Sequence, residues 1–364
     1  MKSIIDSTLS TKTNTGTLAG GQAGSPSSQE DEELRQLVEQ LRVNISIIGC
    51  GGGGSNTIRR LTESGITGTT LVAANSDARH LLSIQVPNKV LLGRSTTKGL
   101  GAGAIPEIGK QGAEEARTEL AKYIDGRHIV FVTAGMGGGT GTGSAPIVAE
   151  MAKMKGALVM GVVTMPFKAE GRIRLENAVR GLNRLREHCD TTIVIPNDRL
   201  LQLVPKLPLE AAFKVADEVL MQSIKGITEV ITKPGLVNVD FNDMLTIMRN
   251  GGVAMIGLGE GDSQDGKLEK VERAVEEAMN SPLLGDIDTS EARGALIRVV
   301  GGSDMTVTEA EKVAELVGAK INPTARIIWG CAVDPAMNSR MRVMVVVTGV
   351  KSSNFLSRYS SQTG

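Results

Sequence analysis

From Val43 to Asn197, short apolar runs alternate with stretches whose apolar residues recur every three to four positions. The runs are VNISIIG from Val43, TTLVAANSD from Thr69, HIVFVTAG from His128, ALVMGVVTMPF from Ala157 and TTIVIPN from Thr191. Between them lie SNTIRRLTESG, ending at Gly65, then PEIGKQGAEEARTELAKYIDG, SAPIVAEMAKMKG and LENAVRGLNRLREHC. The runs predict strands covered on both faces, and the periodic stretches predict helices. Together they describe an α/β protein with a doubly wound parallel sheet.

The pattern changes at Pro208. Leu209, Ala212, Phe213, Ala216, Val219, Leu220, Ile224, Ile227 and Ile231 recur at helical spacing and predict one long amphipathic helix over 208–233. A second alternation follows: AMIGLGEG (strand), KLEKVERAVEEAMNSPLL (helix), GALIRVVGG (strand), TVTEAEKVAELVGAKI (helix), then ARIIWGCAVDP and RMRVMVVVTGV (strands). This is a smaller α/β domain with a four-stranded sheet, and the last two strands lie close enough in sequence to pair directly. Domains are expected at 29–207 and 234–350, joined by the long helix. Residues 1–28 are poor in large apolar groups and are expected to be disordered. An acid-rich helix follows from Ser28 or Gln29, and a short polar tail spans 351–364. No internal repeat is visible.

Composition narrows the function. The 364 residues carry 40 Lys and Arg against 40 Asp and Glu, so no net field favours nucleic acid as a partner. One Trp, two Tyr and five Phe are too few for base-stacking platforms. Cys50, Cys189 and Cys331 are far apart and His80, His128 and His188 lack metal-ligand spacing. Reduced structural thiols in a cytosolic protein are expected, and no protein metal site. No signal peptide is evident, and the apolar run Ala157–Phe167 is too short to span a bilayer, so membrane attachment is expected only through a partner.

Three glycine-rich stretches stand at strand-to-helix turns: GCGGGGSN from Gly49, GLGAG from Gly99 and GMGGGTGTGS from Gly135. Such turns fall at the carboxyl edge of a doubly wound sheet, where ligands bind. Without Cβ atoms the backbone can approach a ligand closely and turn its N–H groups to anionic oxygens at a helix N-terminus. Thr140 and Thr142 add hydroxyl donors, and Ser144 is placed to cap the next helix. Gly49, Gly51 and Gly54 with Asp77 also fit a dinucleotide fingerprint. A nicotinamide cofactor, another phosphate ligand and plain tight-turn glycines all remain open on that loop alone. The second and third loops favour a polyphosphate. GxxxxGK[ST] does not occur, which excludes an ordinary P-loop NTPase.

GGGTGTGS at 137–144 resembles the signature loop of the tubulin/FtsZ family. The resemblance extends through GCGGGGSNTI, NSDARHL, GLGAGAIPEIG, FKAEGRIRLENA, IPNDRLL, FKVADEVL and NVDFNDM, in that order, over residues 30 to 350. It is nearest to the FtsZ branch, and the acidic first helix and IIWGCAVDP resemble archaeal members. The family's fold is a GTP-binding α/β domain, a central helix and a smaller α/β domain. The resemblance implies GTP or GDP at Gly52, Gly53, Gly54, Ser55 and Asn56, at Gly101, Ala102 and Gly103, and at Gly138, Gly139, Thr140 and Gly141. Ser55 stands where family members often carry Gly or Ala. Glu170 and Arg174 match contacts to ribose and phosphate, Asn197 and Asp217 the guanine readers, and Phe213 the residue flanking the base. From the residues alone, Glu170 and Arg174 read equally as a surface i,i+4 pair, Asp217 as solvated, Asn197 as a turn residue and Phe213 as core.

Asp240 or Asn242 reads from spacing as a helix N-cap. The resemblance instead implies that Asp240 and Asp243, helped by Asn238, enter the nucleotide pocket of the next subunit and position the attacking water, with Mg2+ on the phosphates. It thus implies a head-to-tail homopolymer, a GTPase completed at the subunit interface, membrane-anchor or division proteins as partners, and a place in the cytoplasm at mid-cell. The tail after Val350 does not clearly match the family's anchor-binding peptide. Two rivals remain: a nucleotide-binding structural or regulatory paralogue with weak hydrolysis, and a nicotinamide-dependent oxidoreductase.

Overall fold

The computed structural model describes residues 43–203, 209–233, 237, 239–262, 267–285 and 288–350. The expectations for 1–42, Pro208, Asn238 and the tail after Val350 lie outside the described residues. The first half of the chain runs β1 (Ile45–Cys50), α1 (Gly51–Glu63), β2 (Thr69–Asn75), α2 (Ala78–Ser83), β3 (Asn88–Leu91), α3 (Pro106–Glu115), α4 (Arg117–Ile124), β4 (Ile129–Gly135) and α5 (Thr140–Met154). It continues through β5 (Leu158–Met165), α6 (Arg172–His188), β6 (Thr191–Pro196) and α7 (Asn197–Leu203). Then come α8 (Leu209–Thr232), α9 (Phe241–Met248), β7 (Gly252–Asp262), α10 (Lys267–Met279), β8 (Gly294–Gly301), α11 (Val307–Gly318), β9 (Arg326–Val333) and β10 (Arg340–Thr348).

All ten strands join one sheet in the order β3-β2-β1-β4-β5-β6-β7-β10-β8-β9. From β3 to β6 every pair is parallel, and the order reverses direction between β1 and β4. That is the strand order of a doubly wound nucleotide-binding sheet. The apolar runs are continuous because both faces are covered. Within β1, Ile45 and Ile47 pack with α1, α8 and α9, whereas Ile48 and Cys50 pack with α3, α5 and α6. The three cysteines are free and buried. Burial pushes the Cys50 and Cys189 thiols up to about 12.

Three expectations need correction. The helix read as continuous over 106–126 is two helices, broken at Ala116, whose ψ is 8°. At the break Glu115 accepts from the Ser95 amide (2.7 Å) and the Thr96 hydroxyl (2.9 Å), a tertiary anchor that local periodicity does not reveal. β9 and β10 do not pair with each other: β9 pairs β8 in parallel, and β10 inserts antiparallel between β8 and β7. The link between them crosses the end of β8 at Gly302, where a Cβ would stand 1.2 Å from the Asn338 oxygen. Finally, Ser144 caps nothing; it lies inside α5 and donates to the Thr140 oxygen at 2.6 Å.

The smaller half is tied tightly to its own helix. On one face of β7, Cβ atoms at Gly257, Gly259 and Gly261 would stand 2.1, 2.1 and 2.0 Å from the Ala278, Ala274 and Lys270 oxygens. Helix α10 therefore rests directly on bare strand backbone. Lys270, almost wholly buried, is held by Glu309 at 3.0 Å, so its charge is paired where water cannot reach it. The long helix α8 is anchored to β8 by the buried Glu229, which accepts from Arg298.

Candidate functional site

Two of the three glycine runs open helices. Gly51–Gly54 form the first turn of α1, and α5 begins at Thr140 inside the third glycine stretch. First-turn amides have no partner within their own helix, and here two such turns start at the carboxyl ends of β1 and β4, on either side of the strand-order reversal. They pack on each other: Gly51, at φ +71°, would place a Cβ 2.6 Å from the Gly141 amide nitrogen. The Gly139 amide donates to the Gly103 oxygen at 2.8 Å, drawing the 99–103 stretch over α5. The Ser76 and Thr140 hydroxyls share a hydrogen bond of 2.6 Å.

These elements border a cavity of 370 Å³. It is lined by Gly52, Gly53, Asn56, Gly103, Gly138, Gly139, Thr140, Gly141, Glu170, Arg174, Asn197, Phe213 and Asp217, all expected from the sequence. Gly135, Met136, Thr164, Pro166 and Ala216 also line it and were not expected. Four of these five stand at or just beyond the carboxyl ends of β4 and β5, which the strand-end rule could have singled out. Gly54, Ser55, Gly101 and Ala102 stand outside the lining. A Cβ on Gly54 would meet the Thr133 oxygen at 2.4 Å, so that glycine serves packing. Ser55 is fully buried and Ala102 nearly so. Thr142 also turns inward, accepting from the Gly137 amide at 2.8 Å.

Gly52 and Gly138 differ from the packing glycines. A Cβ on either would meet no protein atom within 4 Å, and neither has a positive φ. Neither packing nor backbone conformation calls for glycine there; the bare positions leave that space open to a ligand. A second sign of a ligand is Asn197, 4% exposed, whose Oδ1 has no hydrogen-bond partner. Phe213, 38% exposed, stands edge-on to Phe167 with centroids 5.0 Å apart and offers the cavity an aromatic surface. Glu170 accepts from Arg174 and from the Phe167 amide (2.9 Å), so the i,i+4 pair is real and lines the cavity as well.

Asp217 has no strong partner. Its nearest cation is Arg60 at 3.9 Å, and burial pushes its carboxyl up to about 6 against the opposing pull of Arg60 and Arg59. A raised carboxyl pKa means that, between the ordinary carboxylate range and pH 6, the folded chain holds a proton that the unfolded chain has lost. Stability of the nucleotide-free protein therefore falls as pH rises through that window. Asp217→Asn is expected to raise the melting temperature at pH 7.5 by about 2–3 °C. Thermal melts at pH 4.5 and 7.5 check the sign: the gain over wild type should shrink at the lower pH.

Asp77 does not fit the nicotinamide reading. Its carboxylate caps α2 by accepting from the His80 amide at 3.0 Å, and it does not line the cavity. Asp240 likewise caps α9, accepting from the Asn242 amide at 3.1 Å. Asp240 and Asp243 are exposed and stand apart from the cavity. Among the described residues no helix is long and apolar enough to cross a membrane.

A crevice of bare amides at the reversal of a doubly wound sheet is where such proteins hold nucleotides. Comparison with known proteins narrows this class. Residues 44–205 match the Tubulin/FtsZ family GTPase domain and residues 252–351 the FtsZ family C-terminal domain. The cell division protein FtsZ of Haloferax mediterranei is 50% identical over 98% of this chain and 95% of its own. Cell division protein FtsZ 1 of Archaeoglobus fulgidus is 52% identical over 90% of this chain and 88% of its own. An empty FtsZ dimer from M. jannaschii superposes with a TM-score of 0.83 at 49% identity, covering 89% of this chain and 93% of that one. The chain belongs to the FtsZ family and carries its GTPase domain.

Proposed function

We propose that this chain is a division GTPase that assembles head to tail and hydrolyses GTP between subunits. One observation carries the reading: the cavity and the acidic turn lie at opposite edges of the sheet. The cavity is at the carboxyl ends of β1, β4, β5 and β6. Helix α9 is at the amino ends. Its Phe241 ring stands 6.0 Å from His128, just before β4, and its Met248 oxygen accepts from Thr191 at the start of β6. The seven residues of β4 alone separate those edges by about 20 Å. Asp240 and Asp243 cannot reach a nucleotide in their own cavity. A second copy stacked along the strand direction brings its acids to the first copy's cavity, a heterologous contact that builds open filaments. The relative from M. jannaschii, solved as a dimer, supports self-association.

In this reading the amides of Gly52, Gly53, Gly138, Thr140 and Gly141 hold the phosphates, and the Thr140 hydroxyl adds a donor. Glu170 and Arg174 reach ribose and phosphate. Asn197 and the Asp217 carboxylate read guanine beside the Phe213 ring. Adenine offers no N1 and N2 donor pair, so it leaves the buried carboxylate unpaired. The neighbour's Asp240 and Asp243, helped by Asn238, position the attacking water; phosphoryl transfer is mostly positioning and charge stabilisation. Among the described residues no group of three His, Cys, Asp or Glu side chains could hold a metal ion. In this reading Mg2+ rides on the nucleotide's phosphates, where it neutralises developing charge. Division or membrane-anchor proteins are the further partners, and mid-cell the expected place.

Phosphate release per subunit, measured over a range of protein concentrations with GTP and Mg2+, tests the proposal. Turnover that rises steeply above a threshold concentration is expected. Constant turnover per subunit means a self-contained site and overturns the shared one. GTP binding without turnover means a structural paralogue.

A further inference from the structure

His80 has no role in the readings above, yet it links two elements beside the cavity. The Asp77 amide donates to Asn75 Oδ1 at 3.3 Å. A backbone N–H can only donate, so this contact fixes which end of the Asn75 amide is oxygen. Its Nδ2 then faces His80 Nδ1 at 3.1 Å. Nδ1 must accept, which places the ring proton on Nε2. Nε2 stands 3.2 Å from Asn56 Oδ1 and donates to it. Each polarity follows from the one before, starting from a group that cannot reverse. With its oxygen engaged by His80, Asn56 presents its NH2 group to the cavity it lines.

We propose that His80 is a positioning residue for nucleotide binding: it locks the Asn56 amide so that α1 offers a donor, not an acceptor, to a phosphate or ribose oxygen. The proposal rests on the nucleotide reading of the cavity. Without the imidazole, Asn56 can turn its oxygen to the ligand, where it loses a hydrogen bond and sets two acceptors face to face. The relay also binds the end of β2 to the first helix of the site, so it orders Asn56 before any ligand arrives. This lowers the entropy cost of binding.

GDP titration calorimetry on nucleotide-stripped protein tests it, with a thermal melt on every variant. His80→Leu is expected to weaken GDP about fivefold. Asn56→Ala should weaken it at least as much. The double variant should bind no worse than Asn56→Ala alone, since His80 acts only through Asn56. His80→Gln, whose amide nitrogen reaches the Nε2 position, should recover most of the loss. His80→Asn, which reaches only the Nδ1 position, should not, and it replaces His80→Leu should that variant fail to fold. GDP binding by His80→Leu equal to wild type, or losses that multiply in the double variant, overturn the relay alone. Wild-type protein that does not bind GDP overturns the nucleotide reading and the relay with it.

Discussion

Asp243→Ala protein is expected to bind GTP as tightly as wild type and to turn it over about 10³-fold more slowly. Asp243 is exposed in the first turn of α9, at the amino edge of the sheet, and touches no part of its own cavity. Its removal therefore leaves binding intact. The decisive companion is a mixing experiment. Gly52→Leu fills the cradle at a position where a Cβ meets nothing, so it should fold normally and fail to hold nucleotide. Alone, Gly52→Leu should turn over no GTP and Asp243→Ala only at its residual rate. In a mixture, an Asp243→Ala cavity meets intact acids from a Gly52→Leu neighbour, and phosphate release returns to a measurable fraction of wild type. Wild-type turnover by Asp243→Ala, or no recovery on mixing, refutes a shared site.

Gly143→Ala, in the same signature stretch, is expected to do something different: lower the melting temperature sharply or prevent folding, and abolish GDP binding as a consequence. A Cβ there would stand 2.0 Å from the Pro106 oxygen and 2.5 Å from the Lys110 nitrogen. Both are backbone atoms of α3, and a Cβ on Gly109 of that helix would in turn meet the Gly139 oxygen at 2.2 Å. Neither helix can yield without carrying the phosphate-facing turn with it. A collision of this kind costs about 3 kcal/mol or more. Gly52→Ala is the control: it should melt like wild type and lose affinity only. Differential scanning calorimetry with and without GDP separates the two. Equal melts for both variants overturn the division of these glycines into packing and ligand roles.

That division could not be read from the sequence. Glycine marks both a strand-to-helix turn and a close backbone approach, and only coordinates tell which atom stands opposite. The apolar runs of β1, β4, β5 and β6 were legible because those strands are buried on both faces, and α8 was legible because its apolar stripe recurs without interruption. β3 went unseen. Its four residues, NKVL, bury only Val90 fully and lie at the sheet's edge. The glycine turns were read as loops because glycine is poor in helix interiors; α1 and α5 nevertheless begin in them. The route of β10 was illegible for another reason. Short spacing favours a hairpin with β9, but β10 gains two long antiparallel partners by crossing to the other side of β8. In the site, the motifs located most of the lining. His80 carried no signal, since its role is to hold Asn56 rather than to touch a ligand.

The separation of cavity and acids by the length of a strand has a consequence for filament ends. In the head-to-tail filament proposed above, a row of n subunits has only n − 1 cavities with a neighbour's carboxylates above them. The subunit whose cavity faces outward would keep its GTP intact however old the filament is. A newcomer joining at that face would switch on hydrolysis in the subunit it covers while arriving with its own nucleotide untouched. One end would therefore always carry a GTP cap one subunit deep, renewed by growth itself, and the other end exposed acids and no clock. The two ends of such a polymer would differ in chemistry before any accessory protein binds.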